Sequence, residues 1–346
     1  MDLQLRHRLQ RLPKAELHLH LEGTIQAATL WQLSRRYDFP FGLRDQEACE
    51  AVYCFEDFTG FLQAFKMVSQ HLRTPQDYAL AVRAMARDLA AQGVVYAEVF
   101  LSLGILHWKQ MPVEPVWQAV QEAGAQARLE TGVQLGWLFD AVRQFGAGAA
   151  ERVLSDCLLR KSYESVLGIG LGGDEAAGPA PWFRDVYHEA KRAGLRRTVH
   201  AGESCGPDSI WSAINDLDAE RIGHGLRAIE DSRLLEHLSR HGVYLDVCPT
   251  SNVKTGCIAA IADHPVRQFF ERGVPFAIST DDPAFFRVTL MQELETLHDV
   301  FGLTEPDLVK LLYQSFSGSF LPEADKQAWQ RRLSSMASAP GPMPAR

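Results

Sequence analysis

The chain has 346 residues, with 35 Lys and Arg against 43 Asp and Glu, for a formal net charge of −8. An acidic balance argues against nucleic acid as the main partner, because phosphate binding needs a basic face. No apolar run approaches the ~20 residues of a membrane helix, residues 1–14 are charged and do not read as a secretory signal, and six cysteines with no CxxC pair read as free thiols in a reducing cytoplasm.

Short runs of β-branched, leucine and aromatic residues bounded by turn residues or polar breaks predict strands. In chain order they are Ala15–His20, Val94–Leu101, Gln134–Asp140, Val166–Leu171, Arg197–His200, Arg221–His224, Val243–Val247 and Pro275–Thr280. Helix-like stretches follow most of them, such as Pro181–Ala193, Ser209–Asp216, Glu230–Arg240 and His264–Arg272. Strand–helix alternation predicts parallel neighbours, which need crossover connections. Eight such units predict a closed TIM (β/α)8 barrel rather than an open sheet.

The stretch from Leu21 to Gly93 is longer than one crossover and reads as helices Ala27–Tyr37, Phe55–Ser69 and Pro75–Ala91. A helical insertion after the first strand sits at the C-terminal mouth of a barrel, where active sites form. The aromatic segment Phe55–Phe65 reads either as a lid over that mouth or as the core face of an amphipathic helix. Extra helices are expected from about Gln292 to Leu333. The segment 334–346, rich in Ala, Pro, Ser and Met, is expected to be a disordered tail. With no internal repeat and no linker, residues 1–333 read as a single domain.

The chemistry lies in where histidines and carboxylates fall. His18 and His20 share one face of a strand in Leu17–Leu21, because residues i and i+2 point the same way. Two imidazoles aimed into a barrel need partners for their ring nitrogens, and zinc is one such partner. His200 ends the fifth strand, His224 the sixth, and Asp281 and Asp282 follow the eighth. Each is at the strand end where a barrel places catalytic groups. Three imidazoles and one carboxylate open to water suit a catalytic zinc.

These motifs are similar to those of the adenosine deaminase family of metal-dependent hydrolases. The matching segments are Pro13–Gly23 (PKAELHLHLEG), Gly172–Glu175 (GGDE), His200–Glu203 (HAGE), Arg221–Gly225 (RIGHG), Cys248–Asn252 (CPTSN) and Ser279–Pro283 (STDDP). The resemblance implies one zinc per chain on His18, His20, His200 and Asp281. It implies that Glu203 protonates N1 of a purine and that His224 orients the attacking water and helps to deprotonate it. Asp281 counts among the catalytic residues as well as the ligands. Asp282 would contact N7 and the Gly173 amide N3, while Phe61, Leu62 and Phe65 would form a hydrophobic gate. Deamination adds water to C6 and expels ammonia, and Glu203 can give a proton only if burial or a neighbouring carboxylate keeps it neutral. The cytidine-type plan of HxE followed by PCxxC is absent, and Val166–Asp174 has no lysine to bridge a second metal.

The resemblance implies a small-molecule purine nucleoside or base as the substrate. Glu22 stands where animal-type family members usually carry Asp at the sugar's 5′ end, and resembles bacterial branches acting on adenine, adenosine or aminodeoxyfutalosine, a modified nucleoside of menaquinone synthesis. The segment Phe139–Gly146 (FDAVRQFG) resembles the aminodeoxyfutalosine branch, where Arg143 would meet the substrate carboxylate or else be a surface or helix-capping residue. The leading expectation is deamination of aminodeoxyfutalosine or adenosine, with free adenine as the alternative. A non-catalytic nucleoside-binding member is the alternative from another class.

Overall fold

The computed structural model describes residues 1–338. Eight parallel strands, β1 (Lys14–His20), β2 (Val94–Leu101), β3 (Gln134–Val142), β4 (Val166–Gly172), β5 (Arg196–Ala201), β6 (Arg221–His224), β7 (Tyr244–Val247) and β8 (Phe276–Ile278), pair in sequence order with helices between them. The bounds differ from the sequence expectation by at most two residues. The sheet curls until its ends meet: the His20 amide donates to the Asp281 carbonyl at 3.0 Å, and the Asp281 amide donates to the His18 carbonyl at 3.1 Å. This is a TIM barrel. β8 stops early because the Thr280 amide donates to the Glu16 carboxyl at 3.0 Å instead of to a strand carbonyl.

On β1 the alternation of the pleat separates two environments. Leu17 and Leu19 pack in the apolar core and His18 and His20 face the barrel interior, while Glu16, on the other side of a register shift between Glu16 and Leu19, is buried against Thr280. Buried charges need partners. Arg221 on β6 supplies them, reaching Glu98 at 2.6 Å and Asp246 at 2.8 Å. A polar layer thus crosses the barrel interior beneath the histidines.

The insertion after β1 contains helices Ala27–Arg36, Gln46–Ala51, Phe58–Ser69 and Pro75–Ala91. The third begins at Phe58 rather than Phe55 because the Asp57 carboxylate accepts the Gly60 amide at 2.7 Å, a side-chain N-cap. Gln46–Ala51, capped by Asp45, and an N-terminal helix Leu3–Arg11 were not expected. Lys14 Nζ donates to the carbonyls of Leu9, Gln10 and Leu12 at 2.5, 3.2 and 2.9 Å. It joins the Leu12 amide, which donates to the Leu9 carbonyl at 3.1 Å, in satisfying the carbonyls at the end of that first helix.

Three helices, Leu290–Asp299, Glu305–Gly318 and Glu323–Ser338, complete the described residues. The last runs five residues beyond the expected end at 333, so 334–338 are helix and not disordered tail. Leu333 is fully buried, and no proline interrupts the chain before Pro340. Residues 339–346 of the expected tail lie outside the described residues. Among the described residues no helix is long and apolar enough to cross a membrane, and all six cysteines are free.

Candidate active site

The topology brings His18, His20, His200 and Asp281 together, each offering one ligand atom within 4.8 Å of the others. His20 Nε2 lies 3.2 Å from His200 Nε2. Asp281 Oδ1 lies 3.3 Å from both His18 Nε2 and His20 Nε2. His200 Nδ1 donates to the Leu171 carbonyl at 3.1 Å, so its Nε2 presents a lone pair to the centre. Burial, then the charge of the neighbouring imidazoles, holds the His200 pKa well below the usual histidine range. Both ring nitrogens of His18 are buried with no hydrogen-bond partner. These observations fit a divalent metal: four ligands at the usual zinc–nitrogen distance would stand about 3.3 Å apart in a tetrahedron. Asp246 and Ser251 back the set. Asp246 Oδ2 faces His18 Nδ1 at 3.5 Å, and Ser251 Oγ donates to Asp281 Oδ2 at 2.7 Å.

The backbone is bent to aim these groups. His224 and Asp281 have φ of 62° and 65°, a left-handed conformation that non-glycine residues adopt only where the surroundings impose it. Gly223 precedes His224, and a Cβ there would stand 2.8 Å from His18 Cε1. Only glycine lets β6 pass that close to the histidine.

Glu203 and His224 flank the same centre. His224 Nε2 is 3.7 Å from Glu203 Oε2 and 3.9 Å from Asp281 Oδ2. Burial, reinforced by the Asp281 and Glu175 carboxylates, pushes the Glu203 pKa well above the carboxylate range. Burial lowers His224 to about 4. Asp282 is also raised well above the usual range, by burial and then by the adjacent Asp281. Glu175 closes the GGDE segment and organises the loop after β5. It accepts the amides of Gly202, Glu203 and Ser204 at 2.9, 2.8 and 2.9 Å and the Ser209 hydroxyl at 2.6 Å.

A cavity of about 400 Å³ opens over this centre. His20, His200, Glu203, His224, Asp281 and Asp282 form its floor, and Gly173, Phe61, Leu62 and Phe65 border it. Phe61 packs edge-on to Phe285, with ring centroids 5.7 Å apart, and Phe65 meets the His20 ring at 6.4 Å. Gly173 turns with φ +93° at the end of β4. Lys66, Trp108 and Phe145 form the outer wall, and Lys66 Nζ stands 5.1 Å from the Trp108 ring centroid. Lys66 is the one lysine or arginine among the residues bordering the cavity.

Two expected substrate contacts do not border the cavity. The Arg143 side chain is buried and donates to the carbonyls of Gly178 and His200, both at 2.6 Å. Its guanidinium ties β3 to β5 from behind the cavity wall, so Arg143 is not placed to meet a substrate carboxylate. Glu22 is fully buried in the turn after β1, where it accepts the Ser102 amide at 3.3 Å, and it does not border the cavity.

Several residues of the site were not anticipated. Asp140 on β3 borders the cavity, buried, with Oδ1 unpartnered. Gly170 and Gly172 make room for it: a Cβ at either would stand 2.6 or 3.1 Å from its carboxyl oxygens. The alternation along β3, with Gln134, Gly136, Leu138 and Asp140 on one face, could have marked it as inward-pointing. Glu175, Ser251 and Asn252 stand inside the GGDE and CPTSN segments, and their roles emerge only from contacts across the barrel.

A family model described as adenosine deaminase matches residues 13–336. The aminodeoxyfutalosine deaminase of Streptomyces avermitilis is 37% identical over 318 residues, covering 91% of this chain and 88% of the relative. The adenosine deaminase of Serratia proteamaculans is 33% identical, covering 93% of this chain and 98% of the relative. The crystal structure of an adenine deaminase from Arthrobacter aurescens superposes with a TM-score of 0.90 at 31% identity, over 95% of this chain and all of the other. Together with the histidine–aspartate group at the barrel mouth, these likenesses show that the chain belongs to the adenosine deaminase family and is a deaminase of adenine- or adenosine-like substrates.

Proposed function

We propose that the chain hydrolyses the 6-amino group of a purine nucleoside, aminodeoxyfutalosine ahead of adenosine, using one zinc. The observation that carries this is a buried carboxyl, Glu203, its pKa pushed up by burial and the Asp281 carboxylate, set beside His224 at the edge of the four-residue metal group. His18, His20, His200 and Asp281 would hold the zinc. A bound zinc supplies a Lewis acid that lowers the pKa of water from about 16 to about 7.

The protein groups then divide the proton chemistry. Glu203 donates its proton to N1 as oxygen adds to C6, which removes charge that would otherwise build on the ring. The resulting carboxylate takes the proton of the new hydroxyl and delivers it to the departing amino nitrogen. Over the cycle, one proton of water ends on N1, the other on ammonia, and Glu203 is reset by the next water. Asp282, kept neutral, donates to N7, the Gly173 amide faces N3, and His224 orients the oxygen nucleophile.

The outer wall supports a nucleoside over a free base. A cavity of about 400 Å³ lies in the range of ~300–1,000 Å³ that holds drug-sized ligands, more than a bicyclic base fills. Lys66 beside Trp108 suits the carboxylate of aminodeoxyfutalosine. The likeness to an adenine deaminase structure favours adenine as the second reading. A non-catalytic role is disfavoured because the ligand set and the proton donor are all in place.

The test is ammonia release from adenine, adenosine, deoxyadenosine and aminodeoxyfutalosine, ranked by kcat/KM. Glu203→Ala should retain the metal and lose about 100-fold or more of kcat. Normal turnover in that variant, or turnover of adenine alone in the wild type, overturns the reading.

A further inference from the structure

Three buried side chains outside the metal group form a chain whose hydrogen-bond sense is fixed at one end. Val266 follows a short turn after Ile261–Asp263, and its amide donates to His264 Nδ1 at 3.0 Å. A backbone N–H can only donate, so Nδ1 is an acceptor and the ring proton of neutral His264 sits on Nε2. Burial holds His264 down at about 3, so the ring is neutral at physiological pH. His264 Nε2 lies 3.3 Å from Asn252 Oδ1, which must therefore accept. The other end of the Asn252 amide, Nδ2, then faces His224 Nδ1 at 3.1 Å.

Asn252 Nδ2 is a donor and nothing else. A proton on His224 Nδ1 would set two donors against each other in a buried site, where an unmade hydrogen bond costs about 1–3 kcal/mol. His224 therefore carries its proton on Nε2, the nitrogen that faces Glu203 and Asp281. Reversing the Asn252 amide does not relieve this. It would put Nδ2 against the proton on His264 Nε2, and the Val266 amide forbids moving that proton.

We infer that Asn252 and His264, neither of which borders the cavity, are positioning residues that lock His224 as an Nε2 hydrogen-bond donor toward the incoming oxygen. This inference rests on the deaminase reading above, and it changes the role expected for His224. A ring whose Nε2 already bears a proton orients the nucleophile and stabilises negative charge on it, but does not take its proton. The proton cycle then runs through Glu203 alone, as its balance above allows.

The test is nitrogen-15 NMR of the histidine rings in the zinc-loaded enzyme, joined to kinetics. Wild type should show His224 with a protonated Nε2 and a bare Nδ1. Asn252→Asp, nearly isosteric, replaces the donor with an acceptor, so the proton should move to Nδ1. With that donor turned away, kcat should fall about 100-fold, the size of losing one preorganised donor, with KM nearly unchanged. His264→Phe leaves Asn252 and His224 in place but frees the amide to rotate, and should give mixed tautomers with a smaller fall in kcat. A wild-type His224 protonated on Nδ1 overturns the inference, as does a variant that shifts the tautomer with kcat intact. If no aminopurine is turned over, the deaminase reading fails, while the NMR spectrum still decides the tautomer.

Discussion

Glu175 Oε1 accepts the backbone amide of Glu203 at 2.8 Å, so one carboxylate holds in place the loop that carries another. Its charge also contributes, after burial and Asp281, to raising the Glu203 pKa. Glu203 acts in its protonated form, so kcat/KM should fall as rising pH removes that proton. Glu175→Gln deletes a negative charge and lets Glu203 ionise at lower pH. The alkaline limb of the pH profile should therefore move toward neutrality, with the metal retained. An alkaline limb at the wild-type position in Glu175→Gln would show that Glu203 does not set it.

Removing the metal should be felt in both activity and stability. Both ring nitrogens of His18 are buried and unpartnered, and His20 Nε2 and His200 Nε2 approach to 3.2 Å. Without an ion, those groups lose their common partner. Ligand binding at 100 times Kd stabilises a fold by about 2.7 kcal/mol, so chelation should lower Tm by several degrees and abolish ammonia release. Zinc should restore both. Calorimetry that shows the same Tm with and without metal would count against an ion at this group.

Two glycines near the centre should separate metal binding from substrate binding. A Cβ at Gly223 would stand 2.8 Å from His18 Cε1 and 3.2 Å from the His200 Cα. Both neighbours are fixed, so Gly223→Ala should displace a ligand and weaken metal affinity by about 10–100-fold, the loss typical when a ligand's support is disturbed. A Cβ at Gly23 would stand 1.9 Å from Asp282 Oδ1. Gly23→Ala should push Asp282 from its place and raise KM while metal content holds. Metal analysis and steady-state kinetics on the two variants check this, and equal metal loss in both would refute the separation.

The strands and ligand candidates were legible because their signals are local. A buried parallel strand is a short apolar run, and His18 with His20 states its own geometry through the two-residue period. The supporting residues were not, because they work through partners far along the chain. Glu175 meets Glu203 across adjacent strand ends, His264 meets Asn252 within the connection between β7 and β8, and Asp246 meets His18 only once the barrel closes. Arg143 shows the converse. Its neighbours in sequence suggested a ligand, but burial turned its guanidinium onto the carbonyls of Gly178 and His200. The helix Gln46–Ala51 is too short to show an apolar period, and its Asp45 cap is visible only in three dimensions.

With Arg143 engaged elsewhere, the charge available to an anionic substrate is Lys66. It lies in the helix Phe58–Ser69, one residue after Phe65, with its ammonium over the Trp108 ring. Lys109, by comparison, is spent on the carbonyls of Ser69 and Leu72. A substrate carboxylate at the outer wall meets the ammonium, a charge-assisted contact that adenosine does not make. Lys66→Met should therefore lower the ratio of kcat/KM for aminodeoxyfutalosine to that for adenosine by about tenfold, which corresponds to ~1.4 kcal/mol. The change should lie in KM, because the contact is made equally in the ground and transition states. High salt should shrink the wild-type preference, since the ammonium is exposed. A ratio unchanged in Lys66→Met would leave the nucleoside reading standing but take the outer wall out of substrate choice.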